Sequence, residues 1–270
     1  MIQIDISDGR IRPGGAYLSD TPALRGHAGT QPDLFLRWNE IPVSAEVVDV
    51  AVHLHGFSQQ GGAMPLAEKV ARSGLDLSGR TRPTLAILPR GNWIRHTYYD
   101  FPALLDGGID RFIDYAVERF AADCGLAVDR FILSGHSGGG MPVIDVIAGA
   151  RRPPDELFVF DGLYGRDPRS GDPLGGLEII DAWLGERVAH EPERPGALRV
   201  IYIERQTGAF SREVGVLIAR HLAKAASDVT ASLARRYRVE PSGVPHAYVA
   251  AVCGPQLLAR PDADFDWSQV

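Results

Sequence analysis

The feature that most constrains this chain is the run RFILSGHSGGGMPVIDVIAGA, from Arg130 to Ala150. Its first part, through Ser134, reads as a short apolar strand. Gly135-His136-Ser137-Gly138-Gly139 follows, and Met141 to Ala150 reads as a helix. A helix that starts directly beside the strand it leaves needs small residues around the turn, and the central residue is forced into a strained backbone conformation. The pattern is G-x-S-x-G in the strand-turn-helix setting that lifts a serine hydroxyl above a sheet. The start of the next helix also brings backbone N–H groups and the positive end of the helix dipole toward negative charge developing at Ser137. Phosphate-cradling loops are disfavoured, because neither G-x-G-x-x-G nor G-x-x-x-x-G-K-[ST] occurs.

The rest of the chain supplies a sheet for this turn to stand on. Alternation at Ile2 to Ile6 and in Asp33 to Trp38 predicts half-buried antiparallel strands at the start. Val47 to Leu54, Thr84 to Leu88, Arg130 to Ser134, Glu156 to Phe160, Leu198 to Ile203 and Arg235 to Val239 read as further short strands, several covered on both faces. Helical period falls between them. It is clearest where Ile109, Phe112, Ile113, Ala116, Val117 and Phe120 share one face, with Asp110, Arg111, Asp114, Glu118 and Arg119 on the other. Helices also fit Ala63 to Arg72, Met141 to Ala150, Leu177 to Arg187 and the stretch carrying Val214, Leu217, Ile218, Leu222 and Ala225. The expected fold class is α/β: a mostly parallel central sheet with helices on both faces and an antiparallel N-terminal edge. With no internal repeat and no Gly/Ser linker, residues 1–270 read as a single domain. The stretch from Gly162 to Gly196 is long for a connection, and it fits either a lid or cap insertion or an ordinary crossover helix.

Composition removes several function classes. A net charge of −6, from 28 basic and 34 acidic residues, repels polyanions, so nucleic acid is not an expected partner. Lysine occurs only at 69 and 224, arginine supplying the other basic residues. The two cysteines, Cys124 and Cys253, are too few for a disulfide scaffold, although one bridge between them is open. No segment is apolar enough to span a bilayer. Residues 1–10 lack a basic segment followed by a long apolar run, so no secretion signal is read there. The compartment stays open between the cytoplasm, taken by default, and export after a leader is removed.

A serine nucleophile needs a base, and among eight histidines His246 fits best, in a loop just past the last expected strand. His221 reads as a packed helix residue, His27, His96 and His190 as loop residues, and His136 as directed away by the turn. The imidazole in turn needs a carboxylate at a strand end. Asp161, after ELFVF, and Glu204, after VIYI, both satisfy the chain order serine, acid, histidine, with the shorter Asp161 preferred and Glu204 the alternative. His53-Leu54-His55-Gly56-Phe57 closes an earlier strand, and its glycine permits a bend that brings the Phe57 N–H beside that of Gly138 as an oxyanion hole. A metal at His53 and His55 is not expected, since no third ligand follows from spacing.

With a GHSGG elbow, an upstream HG turn, carboxylates at two later strand ends and a late histidine, the chain resembles the α/β-hydrolase family from about Asp33 to its end. The resemblance implies a mostly parallel sheet of eight-strand type and acyl transfer to water through an acyl-serine at Ser137, with His246 as base and no cofactor. It leaves the acid open, because relatives carry it after either of two late strands. The expected activity is hydrolysis of a small-molecule or polymeric carboxylic ester. Trp93 and Tyr98, with Tyr99 and Phe101, are candidate substrate-binding residues on one side, beside Arg90, Arg95 and His96 for an anionic end, or else ordinary loop packing; Tyr164, Trp183 and Phe210 fit either the other wall or the core. An acyltransferase or thioesterase, a peptidase or amidase, and a non-catalytic binding protein are the rival readings.

Overall fold

A computed structural model describes residues 2–57, 63–95, 98–121, 125–165, 175–191, 193–225 and 227–268. Among these, eight strands form the main sheet: β1 (Gly14–Leu18), β2 (Leu34–Trp38), β3 (Val47–Leu54), β4 (Thr84–Pro89), β5 (Ala127–His136), β6 (Glu156–Phe160), β7 (Ala197–Tyr202) and β8 (Tyr237–Pro241). Their spatial order is β8-β7-β6-β5-β3-β4-β2-β1. The six strands from β8 to β4 run parallel, whereas β2 pairs antiparallel with β4 and β1 antiparallel with β2. The α/β class and the antiparallel N-terminal edge thus stand as expected.

Alternate residues of each central strand feed two separate cores, as a pleat with period two requires. Val48, Val50, Val52 and Leu54 of β3, Phe131 and Leu133 of β5, and Leu157 and Val159 of β6 face one side. They pack there with α2 (Gly108–Phe120), α3 (Gly140–Gly149), α4 (Leu177–Ala189), α5 (Glu204–Leu222) and α6 (Ser227–Arg236). Ala51, Ile132, Phe158 and Phe160 face the other, against α1 (Leu66–Arg72) and α7 (Val249–Ala259). The apolar stripe of α2 read from the sequence is the buried one, from Ile109 through Phe120. Each large side chain fully buried there stabilises the fold by about 1.5–3 kcal/mol.

The two ends of the sheet differ in chemistry. At the N-terminal ends of the parallel strands, buried carboxylates are matched to arginines: Asp49 to Arg80 at 2.6 Å, Asp155 to Arg187 at 3.1 Å and Glu156 to Arg130 at 2.9 Å. The C-terminal ends instead carry His53, His136, Ser137 and Asp161. Order reverses beside β3, whose chain continues to β4 on one flank while β5 lies on the other. Crevices form at such switch points in open parallel sheets.

Several local expectations differ from the structure. Ile2 and Ile4 lie outside any strand, and the first pairing is a small sheet of Ile6–Ser7, Arg10–Ile11 and Ile41–Pro42. The last strand begins at Tyr237 because Arg235 and Arg236 close α6. Within the stretch from Gly162 to Gly196, residues 166–174 lie outside the described residues, and α4 packs against α3 and α5 in the helical layer.

Candidate active site

The turn after β5 has the geometry its sequence demands. Ser137 adopts φ +53°, and a Cβ on Gly135 would lie 2.5 Å from the Gly139 carbonyl oxygen and 2.7 Å from Val143, so only glycine fits there. Ser137 Oγ is 2.8 Å from His246 Nε2, and His246 Nδ1 is 2.6 Å from Asp161 Oδ2. These three residues, at the ends of β5 and β6 and in the turn after β8, form one hydrogen-bonded chain.

Its polarity follows from Asp161. This carboxylate, fully buried and itself at φ +45°, accepts the Ile203 N–H at 2.9 Å and the Thr207 hydroxyl on Oδ1, leaving Oδ2 for the imidazole. Burial raises its pKa, but the bonds from His246, Thr207 and Ile203 outweigh that, and the net shift is downward. An ionised carboxylate only accepts, so His246 carries its proton on Nδ1 and offers Nε2 to the serine hydroxyl. His246 is held from behind as well: His136 Nε2 donates to the His246 carbonyl at 2.8 Å, and burial drives the His136 pKa down to about 4, leaving it neutral near pH 7.

A cavity of about 350 Å3 opens over Ser137, lined among others by Gly56, Phe57, Met64, Lys69, His136 and His246. Phe57 is half exposed there. A Cβ on Gly56 would lie 2.8 Å from Ser137 Cβ, so the turn after β3 rests directly on the serine. Gly138, half-buried, follows the serine directly in the 3-10 turn Ser137–Gly139 that leads into α3. Tyr164, also half exposed, brings its phenol oxygen to 3.3 Å from Ser137 Oγ. A larger groove of about 950 Å3 runs beside β1 and β2, but no histidine or cysteine lines it.

No family model matches the chain, and no curated protein sequence does. Solved structures do. An S-formylglutathione hydrolase from Agrobacterium tumefaciens superposes with a TM-score of 0.50 at 12% identity, covering 97% of this chain and 98% of that one. A CE1 ferulic acid esterase from Anaeromyces mucronatus superposes with a TM-score of 0.51 at 14% identity, covering 96% and 98%. The chain has the α/β-hydrolase fold.

Within this α/β-hydrolase fold the remaining sequence candidates separate. Glu204, the alternative acid, opens α5 and turns outward to pair with Arg212, away from His246. Trp93, expected as a pocket wall, is instead buried, stacked on His55 at 5.9 Å and packed against Phe57 at 6.3 Å, so it supports the turn after β3 from beneath. The side chains of Tyr98 and Arg95, and all of His96, lie outside what is described. Arg90 is buried and directs its guanidinium to the carbonyls of His27 and Thr30, so its charge does not reach the cavity. Trp183 and Phe210 belong to the core. His221 pairs with Asp181 at 2.6 Å between α5 and α4, and Cys253 is buried without a disulfide, while Cys124 lies outside the described residues. Among the described residues no cluster of three or more His, Cys, Asp or Glu side chains could hold a metal ion, and no helix is long and apolar enough to cross a membrane.

Three residues beside the site escaped the sequence reading. Thr207 lies one helical turn into α5, and no local pattern marks it as the partner of Asp161. His136 was expected to point away, yet it braces His246. Lys69 was read only as a helix residue. It is 8% exposed and lies beneath the cavity, donating to the Gly56 and Phe57 carbonyls at 2.6 and 2.9 Å.

Proposed function

We propose that the protein is a serine hydrolase that cleaves a carboxylic ester through an acyl-serine intermediate. The observation that carries this reading is the continuous chain Ser137, His246, Asp161, at 2.8 and 2.6 Å, opening into a cavity. His246 Nε2 takes the Ser137 proton as Oγ attacks the acyl carbonyl, and Asp161 stabilises the resulting imidazolium. The N–H groups of Phe57 and Gly138 hold the oxyanion. His246 then returns the proton to the leaving alkoxide, and a water molecule repeats the sequence to release the acid.

Two proteins of the same fold, an S-formylglutathione hydrolase and a ferulic acid esterase, support hydrolysis as the reaction class. The half-exposed aromatic rings of Phe57 and Tyr164 beside the serine favour a substrate with apolar surface next to the scissile bond. The whole chain acts in this reading as one domain, with Tyr164, near the start of the stretch from Gly162 to Gly196, beside the site.

The test is hydrolysis of p-nitrophenyl esters of increasing acyl length. Wild type is expected to turn over, with the shorter acyl chains favoured by a cavity of about 350 Å3, and Ser137→Ala is expected to lose about 10³-fold or more of that activity. A folded wild type inert on every ester, or a Ser137→Ala variant as active as wild type, would remove the proposal.

A further inference from the structure

We propose that Lys69 is a positioning residue for the oxyanion hole, clamping the Gly56-Phe57 peptide so that the Phe57 N–H faces the acyl oxygen held over Ser137. The inference rests on the hydrolase reading above and adds a group that acts through the backbone of the turn after β3.

The argument begins with a peptide plane. In a trans peptide the carbonyl of one residue and the N–H of the next point in opposite directions. The Gly56 carbonyl accepts Lys69 Nζ at 2.6 Å, so the Phe57 N–H is turned away from the ammonium. A second donor holds the same oxygen. The Gly91 N–H reaches His55 Nε2 at 3.0 Å, which makes that nitrogen the acceptor and leaves the proton on Nδ1, 3.1 Å from the Gly56 carbonyl. Lys69 also donates to the Phe57 carbonyl at 2.9 Å, so both peptides of the turn are tied to one cation. Gly56 is packed against Ser137 and the His136 carbonyl, where a Cβ would lie 2.8 and 3.0 Å away.

The clamp also has an electrostatic effect. A cation on a carbonyl oxygen polarises the peptide and strengthens its N–H as a donor, and inside a protein such effects are weakly screened. A lone buried ammonium is otherwise costly, and Lys69 has no carboxylate at hydrogen-bond distance among the described contacts. Two carbonyl oxygens and the Trp93 ring, 5.5 Å from Nζ, are what receive it. In a chain whose basic residues are arginine almost everywhere, lysine occupies this position and sets a compact point charge between successive carbonyls.

The charge on Lys69 is expected to be lost at mildly basic pH, because burial pulls its pKa from 10.5 down to about 8. The groups around it are Glu68 and Arg72 on α1, His53 and His55 from the end of β3, and His136 from the end of β5. The three histidines are held neutral by burial, whereas the Lys69 pKa falls between 7 and 9.

The experiment measures kcat and KM for p-nitrophenyl acetate, an uncharged ester, from pH 6 to 10 in wild type, Lys69→Met and Lys69→Arg, with Ser137→Ala as reference. Lys69→Met is expected to lose roughly 10–100-fold in kcat with little change in KM, less than full loss of a donor because the Phe57 N–H remains. Wild-type kcat is expected to decline on the basic side with a midpoint near 8, and Lys69→Arg, whose guanidinium does not titrate there, to lack that limb. Fluorophosphonate should still label a folded Lys69→Met at a single serine, showing the nucleophile intact. The proposal is overturned if kcat of Lys69→Met stays within about twofold of wild type, if the loss is in KM alone, or if the basic limb is the same in Lys69→Arg. Should Lys69→Met not fold, the limb in wild type against Lys69→Arg decides. Activity surviving in Ser137→Ala would instead remove the hydrolase reading, and so separates the two failures.

Discussion

At the scale of single residues, the choice between two carboxylates shows what three-dimensional placement adds. Asp161 and Glu204 both follow a strand and both precede His246, and nothing local ranks them beyond side-chain length. The distinction comes from convergence: the left-handed backbone at Asp161 curls its carboxylate under the imidazole, and Ile203 N–H and Thr207, from the end of the neighbouring strand and the helix after it, fill the other oxygen. Those partners are 42 and 46 residues away in sequence, so no window of the chain displays them. Asp161→Asn replaces an acceptor with a group that can also donate, and the proton on His246 is then no longer directed to Nδ1. It is expected to lower kcat by about 10³–10⁴-fold with KM little changed, while Glu204→Gln, a change at an exposed ion pair, stays within about twofold. Steady-state kinetics of the two variants on one ester check this, and a larger loss in Glu204→Gln would reverse the assignment.

At the scale of elements, the central strands were legible because β-branched and aromatic runs covered on both faces leave little other choice. The elements that escaped have physical reasons. β1 begins with Gly14 and Gly15 and alternates half-buried with exposed residues on the sheet edge, which is weak strand chemistry. α7 is apolar nearly all round and contains Gly254 and Pro255, so no polar face marks its period. The ends of β3 and β5 bury His53, His55 and His136, and burial holds all three well below the ordinary histidine pKa, to about 3 for His53 and about 4 for His136. In the unfolded chain they bind protons near pH 6.5, so the unfolded state takes up more protons as pH falls below that value and the native state loses stability. Each is expected to remove about 1 kcal/mol between pH 7 and 5.5. Urea unfolding at the two pH values measures the sum, and a midpoint unchanged between them would contradict the burial of these rings in neutral form.

At the scale of the whole molecule, strand order decides where chemistry can happen. Residues 56, 137, 161 and 246 lie far apart in the chain and meet because β3, β5, β6 and β8 end on the same side of a parallel sheet, beside the point where its order reverses. On the opposite side the buried carboxylates are matched to arginines. The serine turn and the alternation of strand and helix, both plain in the sequence, were enough to reach this architecture. Lys69 was not, since a lysine on a short helix becomes informative only when the carbonyls it meets are known. The central claim is that Ser137 is the nucleophile this architecture presents. Treating the protein with a fluorophosphonate and locating the adduct by peptide mass spectrometry tests it most directly. The account predicts one adduct, on Ser137, absent from Ser137→Ala and strongly slowed in His246→Ala. A folded protein that takes no label, or takes it on another residue, would contradict it.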